Sequence, residues 1–175
     1  RMFMRGIIGA ELLSVHTDAQ HLLMTCSTRK LLIGREVCRG LGSRGNRSVG
    51  ERAALESERF IREFLKGPDV VFILCSLGGG TGSGAAPVVA RVASATGAMT
   101  LALCVTPYAG EGPKANANVE EGLKRLIEVA DSVFVFPNQR LVEAMPKASL
   151  NEAFMVVDEL LLRVMKGVTE GYATA

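Results

Sequence analysis

The chain has 175 residues, of which 48% are hydrophobic and 22% charged; this composition suits one folded domain and excludes a disordered tail or a fibrous repeat. Its formal net charge of +2 gives no electrostatic reason to expect nucleic acid or an anionic membrane surface as a partner. No apolar run reaches the length of a membrane-spanning helix, and charge interrupts the start of the chain, so we expect a soluble cytoplasmic protein without a secretory signal.

Predicted strands and helices alternate along the chain. Strands are expected at 11–15, 30–33, 70–75, 99–105 and 132–136. Helices are expected at 48–66, from the glycine-rich segment 78–84 to about 95, and at 116–129, 139–145 and 150–168. The last three strands are continuous apolar runs, which is typical of strands covered on both faces. The order favours parallel β-α-β units, so the expected fold class is α/β, a Rossmann-like parallel sheet with helices on both faces, in one domain over 1–175.

The four cysteines show no metal-ligand spacing. Cys26, Cys38, Cys75 and Cys104 form no C-x-x-C pair, so a zinc site is not expected. Cys75 and Cys104 lie in apolar strands, where a thiol behaves as a small hydrophobic group. We therefore expect buried free thiols in a reducing cytosol.

The segment Gly78–Gly84 has five glycines in seven residues, between a predicted strand and a predicted helix. Glycine is costly inside a strand or a helix, so we expect these glycines to be needed for their backbone conformations. Sharp turns at these residues would direct backbone N–H groups toward a ligand at the N-terminus of the following helix. The hydroxyls of Thr81 and Ser83 would add donors. The segment thus predicts a phosphate-binding loop, since a ligand-free turn needs one or two glycines. Alanine at Gly79 or Gly82 should then abolish binding and leave the fold intact.

A second glycine-rich stretch, 40–45, matches G-x-G-x-x-G. A dinucleotide-dependent oxidoreductase is disfavoured, because residues 35–39 are a poor buried strand and no acidic residue ends a strand about 20 positions later. A P-loop is excluded because Asn46 and Arg47 stand where Lys and Ser or Thr are required. The stretch can still direct N–H groups toward the same phosphate site, since a helix begins just after it.

Gly78–Gly84 resembles the GGGTG[ST]G signature loop of the tubulin/FtsZ superfamily of GTPases. Further short motifs occur in the same order as in that family, so the resemblance covers nearly the whole chain. They are His16–Gln20, Arg39–Gly42 with Gly45-Asn46, Thr106-Pro107, Glu111-Gly112, Pro137-Asn138, and Ala153-Phe154 with Asp158. The resemblance is closer to the prokaryotic FtsZ branch than to eukaryotic tubulin. It implies a GTP-hydrolysing cytoskeletal protein that assembles head to tail into filaments at the division site, with division-ring proteins as candidate partners.

The resemblance also implies a site for GTP or GDP with Mg²⁺. The signature loop would hold the α and β phosphates, and the loop at 42–45 would approach the γ phosphate. Asp18 and Gln20 would lie near the phosphates and Mg²⁺ without direct metal ligation, and Glu111 would bind the ribose. The nucleotide-binding residues implied are Asp18, Gln20, Gly42, Ser43, Arg44, Gly45, Gly78, Gly79, Gly80, Thr81, Gly82, Ser83, Gly84, Thr106, Glu111, Lys114, Asn138, Phe154 and Asp158.

Physical chemistry supports the guanine part of this site. Phe154 and Asp158 are four residues apart, so they share one face of the last predicted helix. An aromatic ring can stack on a base, and a carboxylate can accept from N1–H and N2–H₂ of guanine, whereas adenine presents an acceptor at N1. Taken alone, the pair is more often a core phenylalanine beside a solvent-facing aspartate, but the resemblance favours the nucleotide site.

The chain departs from the family pattern at several positions. His16 stands where the family has Asn, Arg44 where it has a small residue, and Ala115 where it has an Arg near the ribose, with Lys114 as the adjacent cation. We also expect a domain incomplete at both ends, without the family's first strand and phosphate-capping loop and without its acidic loop and second domain. Because that acidic loop positions the attacking water of the neighbouring subunit, no catalytic residue is assigned, and this chain alone is expected to be inactive in hydrolysis. A divergent or truncated homologue that binds guanine nucleotide or partners without hydrolysis is the alternative.

Overall fold

A computed structural model describes residues 10–145 and 149–173. The strands are β1 (Leu13–His16), β2 (Arg29–Leu32), β3 (Val70–Ser76), β4 (Met99–Thr106) and β5 (Ser132–Pro137). The helices are α1 (Ala19–Met24), α2 (Arg35–Cys38), α3 (Arg47–Glu56), α4 (Glu58–Phe64), α5 (Gly80–Ser94), α6 (Pro113–Val129), α7 (Asn138–Ala144) and α8 (Leu150–Ala173), with a 3₁₀ turn at Ala109–Glu111. Within those ranges, no helix combines the length and the apolar character needed to cross a membrane.

The helix predicted over 48–66 is divided at Ser57. The hydroxyl of this buried serine accepts the backbone N–H of Gly34 at 3.0 Å, and its own N–H bonds back to the carbonyls of Ala54 and Leu55. The apolar face nevertheless continues through both pieces, because Ala53 in α3 and Ile61 in α4 are fully buried. The hydrophobic period placed Ala53, Phe60 and Ile61 on one packed face, which is wrong for Phe60, since that side chain is 50% exposed. The break itself comes from a bond to a residue 23 positions away.

All strand pairs are parallel, as expected, but the described residues form two sheets. β1 pairs with β2, and β3, β4 and β5 form a separate sheet in that order. In a doubly wound sheet with strand order 3-2-1-4-5-6, the first strand lies between these two groups. This first strand is the one that we expect to be absent from the chain on sequence grounds. Residues 1–9 lie outside the described residues.

Successive residues of the central strand β4 face opposite layers of the fold. Ala102 and Cys104 belong to one apolar cluster, formed with α3, α4, α5 and α6. Leu103, between them, belongs to a second cluster with Val157 and Leu161 of α8. Because side chains alternate along a strand, the continuous apolar run is buried on both faces, which confirms helices on both sides of this sheet.

The free thiols are mostly inside the fold. Cys38 and Cys104 are buried, and Cys75 is half-buried, directly opposite Cys104 in the β3–β4 register with 3.6 Å between the two Sγ atoms. Burial raises the pKa of the Cys38 thiol. Cys26 is exposed, so the expectation of buried thiols was wrong for this residue, which follows the short helix α1.

Candidate functional site

Loops that follow the carboxyl ends of the strands meet at one edge of the fold. After β3, the N–H of Leu77 donates to the carbonyl of Val105 in β4 at 2.8 Å. Gly78 then turns with φ +102°, a left-handed conformation that side-chain-bearing residues rarely adopt. A Cβ at Gly78 would lie 2.9 Å from Pro107 Cγ, so the loops after β3 and β4 are in close contact.

Helix α5 begins at Gly80, inside the glycine-rich segment, and this corrects the sequence interpretation. Gly80, Gly82 and Gly84 are helical, and a Cβ on any of them would overlap neighbouring protein atoms. For Gly82 that atom is the carbonyl oxygen of Ser76 at the end of β3. These three glycines therefore allow α5 to pack against β3 and α3, and the expectation that all five serve a turn or a ligand was wrong.

Gly79 is different from its neighbours. It is exposed, and its backbone (φ −78°, ψ 167°) is one that any residue can adopt. No atom of the described residues lies within 4 Å of an added Cβ. It also occupies the N-cap position of α5, a helix of 15 residues whose N-terminal end carries partial positive charge. Nothing in the described protein requires glycine at 79, whereas a ligand that approaches the backbone would.

Three hydroxyls connect the loops around this helix start. Thr81 Oγ1 lies 2.7 Å from Thr17 Oγ1 and 3.0 Å from Ser43 Oγ, and both partners are buried. A hydroxyl has one proton to donate and can accept two, so a Thr81 that accepts from both partners keeps its proton for a ligand. Sequence reasoning placed Thr17 in a family motif but gave it no role, because its partner lies 64 residues away. Ser83 is fully buried, and its Oγ accepts the N–H of Gly78 at 2.9 Å, so it supports the turn from inside.

The loop at 42–45 is tied to the loop after β1. The N–H of Gly42 donates to the carbonyl of Thr17 at 3.1 Å, and an added Gly42 Cβ would lie 3.4 Å from Asp18 Oδ2. Arg44 is exposed with φ +52°, which is uncommon for a residue with a side chain and fits the small residue that the family has there. The structure thus brings Asp18 and the predicted γ-phosphate loop together.

Helices α3 and α5 begin side by side at this place. Asn46 caps α3, with its Oδ1 accepting the N–H of Ser48 at 3.0 Å. The backbone N of Asn46 would lie 2.6 Å from a Cβ on Gly80, the first residue of α5. Two helix N-termini therefore lie side by side. Because Asn46 caps α3 and α5 has no side-chain cap, the open N–H groups that can bind an anion are those at the start of α5.

Asp18 caps the short helix α1 and adjoins this region. Its Oδ1 accepts the N–H of His21 at 3.0 Å, and that bond lowers the pKa of the Asp18 carboxyl, so it stays ionised at neutral pH. His16 Nδ1 accepts the N–H of Asp18 at 2.8 Å, as the side-chain oxygen of an Asn at that position can in an Asx turn. Gln20 is exposed on the same helix.

Lys114 is near the γ-phosphate loop, as the sequence suggested. Its Nζ would lie 3.6 Å from a Cβ on Gly45. A pocket of about 300 Å³ opens there, between the start of α3 and the first turns of α6; Lys114 and Arg47 bring positive charge to it and Glu121 negative charge. The lining residues are Gly45, Asn46, Arg47, Ser48, Lys114, Ala117, Asn118 and Glu121.

The remaining predicted residues follow β4 and β5. Thr106 ends β4, and Glu111 is exposed with its Oε1 accepting the N–H of Tyr108 at 3.3 Å. Asn138 begins α7 directly after β5; it is buried, and its Oδ1 has no hydrogen-bond partner among the described residues. A buried acceptor without a partner is costly unless a ligand supplies a donor.

Phe154 and Asp158 lie on α8, which packs against α7. Phe154 is 40% exposed, so the alternative of a core phenylalanine is wrong, and Asp158 is half-buried. The core face of α8 is formed instead by Val157, Leu161 and Met165. An accessible ring one turn from a half-buried carboxylate can stack on a base and hydrogen-bond its edge.

Known proteins resemble this chain in sequence and in fold. The model of the Tubulin/FtsZ family, GTPase domain, matches residues 6–146. The chain belongs to the tubulin/FtsZ family. Archaeal members are close in sequence: Cell division protein FtsZ 1 of Archaeoglobus fulgidus is 51% identical over 170 residues, and Cell division protein FtsZ of Methanothermobacter thermautotrophicus is 51% identical over 165 residues. These alignments cover 97% and 94% of this chain but 46% and 43% of the relatives, so the chain spans somewhat less than half of their length.

Solved FtsZ structures agree with the fold. An empty FtsZ dimer from M. jannaschii matches with a TM-score of 0.87 and 45% identity, covering 95% of this chain and 49% of that one. CetZ1 from Haloferax volcanii, a GDP-bound monomer, matches with a TM-score of 0.75 at 22% identity, which shows the fold alone. The assignment to the tubulin/FtsZ family and to the parallel α/β class is therefore confirmed.

Proposed function

We propose that this chain is the nucleotide-accepting part of a GTPase that assembles head to tail into filaments for prokaryotic cell division. The observation that carries the proposal is the start of α5, where Gly79 leaves its backbone open above a helix N-terminus. Family membership supports guanine nucleotide as the ligand, and the names of the archaeal relatives support a role in cell division at the division site.

The phosphate part of the proposed site consists of the two glycine-rich loops. Backbone N–H groups at 79–81 and the Thr81 hydroxyl bind the α and β phosphates. The loop at 42–45 approaches the γ phosphate, and Lys114 adds a point charge beside it. Lys114 does not replace the arginine of the family in full, because an ammonium cannot form a bidentate fork. Gly80, Gly82, Ser83 and Gly84 support this loop from inside the protein.

Mg²⁺ accompanies the nucleotide in this proposal. The chemistry of the nearby residues fits, since the ionised carboxylate of Asp18 and the amide oxygen of Gln20 are the hard oxygen groups that Mg²⁺ and its waters prefer. When bound, the ion neutralises phosphate charge. Asp18 itself keeps the loop at 17–20 in place by capping α1, and thereby holds its second oxygen beside Gly42.

The base and ribose are bound at the ends of β4 and β5. Phe154 stacks on the guanine, Asp158 accepts from its N1–H and N2–H₂, and the buried Oδ1 of Asn138 receives a donor that the described protein does not supply. Glu111 moves from its contact with the Tyr108 N–H to bind the ribose, and Thr106 lines the site at the end of β4.

A second copy of the chain is the proposed filament partner. Leu23 and Met24 of α1 are each 75% exposed, and Leu41, beside the γ-phosphate loop, is 61% exposed. Apolar side chains at this edge are suited to being covered by a neighbouring subunit seated over the nucleotide. Further division-ring proteins are proposed as partners from the family alone.

Calorimetric titration of the purified chain with GTP, GDP, ATP and NAD in the presence of Mg²⁺ tests the proposal. We expect GTP and GDP to bind and ATP and NAD to bind at least tenfold more weakly. Preference for ATP or NAD would overturn the proposal.

Phosphate release from the same preparation separates the filament GTPase from a homologue that only binds nucleotide. Slow release by the chain alone, accelerated by a longer FtsZ partner that stacks on it, supports the filament GTPase, whereas binding without acceleration supports the alternative.

His16 gives a prediction about the Asp18 loop. We expect His16→Asn to keep nucleotide affinity, because the Asn oxygen can accept the N–H of Asp18, and His16→Ala to weaken GTP binding by about three- to tenfold through loss of one hydrogen bond. Ser94→Ala, at the exposed last residue of α5, is the control and should bind as wild type. Calorimetry with Mg²⁺·GTP measures the effect, and equal losses for the Asn and Ala variants at position 16 would contradict it.

A further inference from the structure

The side chain of Asn118 connects the two phosphate loops. Asn118 lies in α6 and is 8% exposed. Its Nδ2 donates to the carbonyl of Gly78 at 2.8 Å and to the carbonyl of Gly45 at 3.2 Å. These carbonyls belong to residues 40 and 73 positions away, so one amide group fixes the distance between two loops that are remote in sequence.

The bond to Gly78 also orients the first N–H of the phosphate loop. In a trans peptide, the carbonyl of one residue and the N–H of the next point in opposite directions. Because the Gly78 carbonyl points at Asn118, the N–H of Gly79 points away from α6. The region around Gly79 is the part of the loop that the protein leaves open, with no atom within 4 Å of an added Cβ.

Helix α6 is a rigid base for this amide. Gly122, one turn after Asn118, packs so closely on α5 that an added Cβ would lie 3.3 Å from Ser83 and Leu77 atoms. One turn further, the guanidinium of Arg125 pairs with Glu51 of α3. Asn118 is therefore carried by a helix that is fixed against both helices that begin at the site.

We propose that Asn118 is a positioning residue, which holds the loops at 42–45 and 78–81 at the spacing needed to contact one triphosphate. This inference rests on the function proposed above. Asn118 does not touch the nucleotide; it acts through the orientation of two peptide groups. Since GTP needs both loops and GDP needs only the loop at 78–81, loss of the amide affects GTP more than GDP.

Two substitutions test the role of the amide. Asn118→Ala removes the side chain, and Asn118→Leu removes the hydrogen-bond donors while keeping a similar volume. If one variant folds poorly, the other can still be measured. Asn116→Ala is the matched control, because Asn116 is exposed on the same helix. For the Asn118 variants we expect about tenfold weaker GTP binding, less than about threefold weaker GDP binding, and a melting temperature within a few degrees of wild type. Asn116→Ala should bind both as wild type.

Hydrogen–deuterium exchange without nucleotide provides the independent readout. Amides at 42–46 and 79–81 should exchange faster in both Asn118 variants than in wild type or Asn116→Ala. Unchanged exchange at these loops, or equal losses of GTP and GDP affinity, overturns the inference while the proposed function stands. A wild-type chain that binds neither nucleotide overturns the proposed function and this inference together.

Discussion

Gly82→Ala should destabilise the whole fold, whereas Gly79→Ala should leave the fold intact and remove nucleotide binding. A methyl group at 82 overlaps the carbonyl oxygen of Ser76, so α5 must move away from β3. Overpacking of this kind costs about 3 kcal/mol or more, which lowers the melting temperature by roughly 10 °C for a chain of this size. A methyl group at 79 meets no protein atom and instead occupies the space where a phosphate approaches, so GTP affinity should fall at least about a hundredfold.

Thermal unfolding by circular dichroism and calorimetric titration with GTP separate these two effects. Gly167→Ala is the matched control, since Gly167 is exposed on α8 and also has open space around it. It should keep wild-type affinity and raise the melting temperature slightly, because alanine is favoured over glycine in a helix interior. If Gly79→Ala melts as early as Gly82→Ala, Gly79 has a structural role, and if it binds GTP with wild-type affinity, the loop is not in contact with phosphate.

Asp158→Ala should reduce the preference for guanine over adenine by about a hundredfold, close to 2.7 kcal/mol. The carboxylate accepts two donors from guanine, and charged hydrogen bonds are the stronger class. Asp158→Asn should lose most of the same preference, because the amide offers one acceptor and places a donor where the second acceptor stood.

The measurement is the ratio of the dissociation constants for ADP and GDP. Glu159→Gln is the control, because it removes a carboxylate at the adjacent position of α8, where Glu159 pairs with Arg163. The control should keep the wild-type ratio. A wild-type chain that binds GDP and ADP equally would show that Asp158 does not read the base.

The sequence predicted the features that depend on local pattern. The continuous apolar runs at 70–75 and 99–105 identified strands covered on both faces, since alternation puts Leu103 and Cys104 in different clusters. The glycine signature identified the family. The break at Ser57 and the roles of Thr17 and Asn118 were not predictable, because each depends on a hydrogen bond to a residue 23 or more positions away.

The segment Gly78–Gly84 shows most clearly what could not be predicted from the sequence. Composition alone treats its five glycines alike, whereas the packing separates them into one turn, one open position and three close approaches between backbones. That distinction depends on where β3 and α3 lie relative to α5. At the open position, Gly79, no contact within the described residues accounts for glycine, and the ligand role that sequence reasoning gave it stays a prediction until the variant is measured.

The side-by-side starts of α3 and α5 have a consequence for the energetics of the empty protein. Two helix ends of the same partial charge repel each other, and each such end is worth about 0.3–1 kcal/mol with a suitable counter-charge. The side-chain oxygen of Asn46 offsets part of this charge at α3, whereas the start of α5 has no side-chain cap and, without an anion, faces water and dissolved salt. Occupancy by a polyphosphate turns the repulsion into attraction and adds stability by mass action, about 2.7 kcal/mol at a hundredfold excess over Kd. A bound polyphosphate would therefore stabilise the packing of α3 against α5 as well as occupy the proposed site.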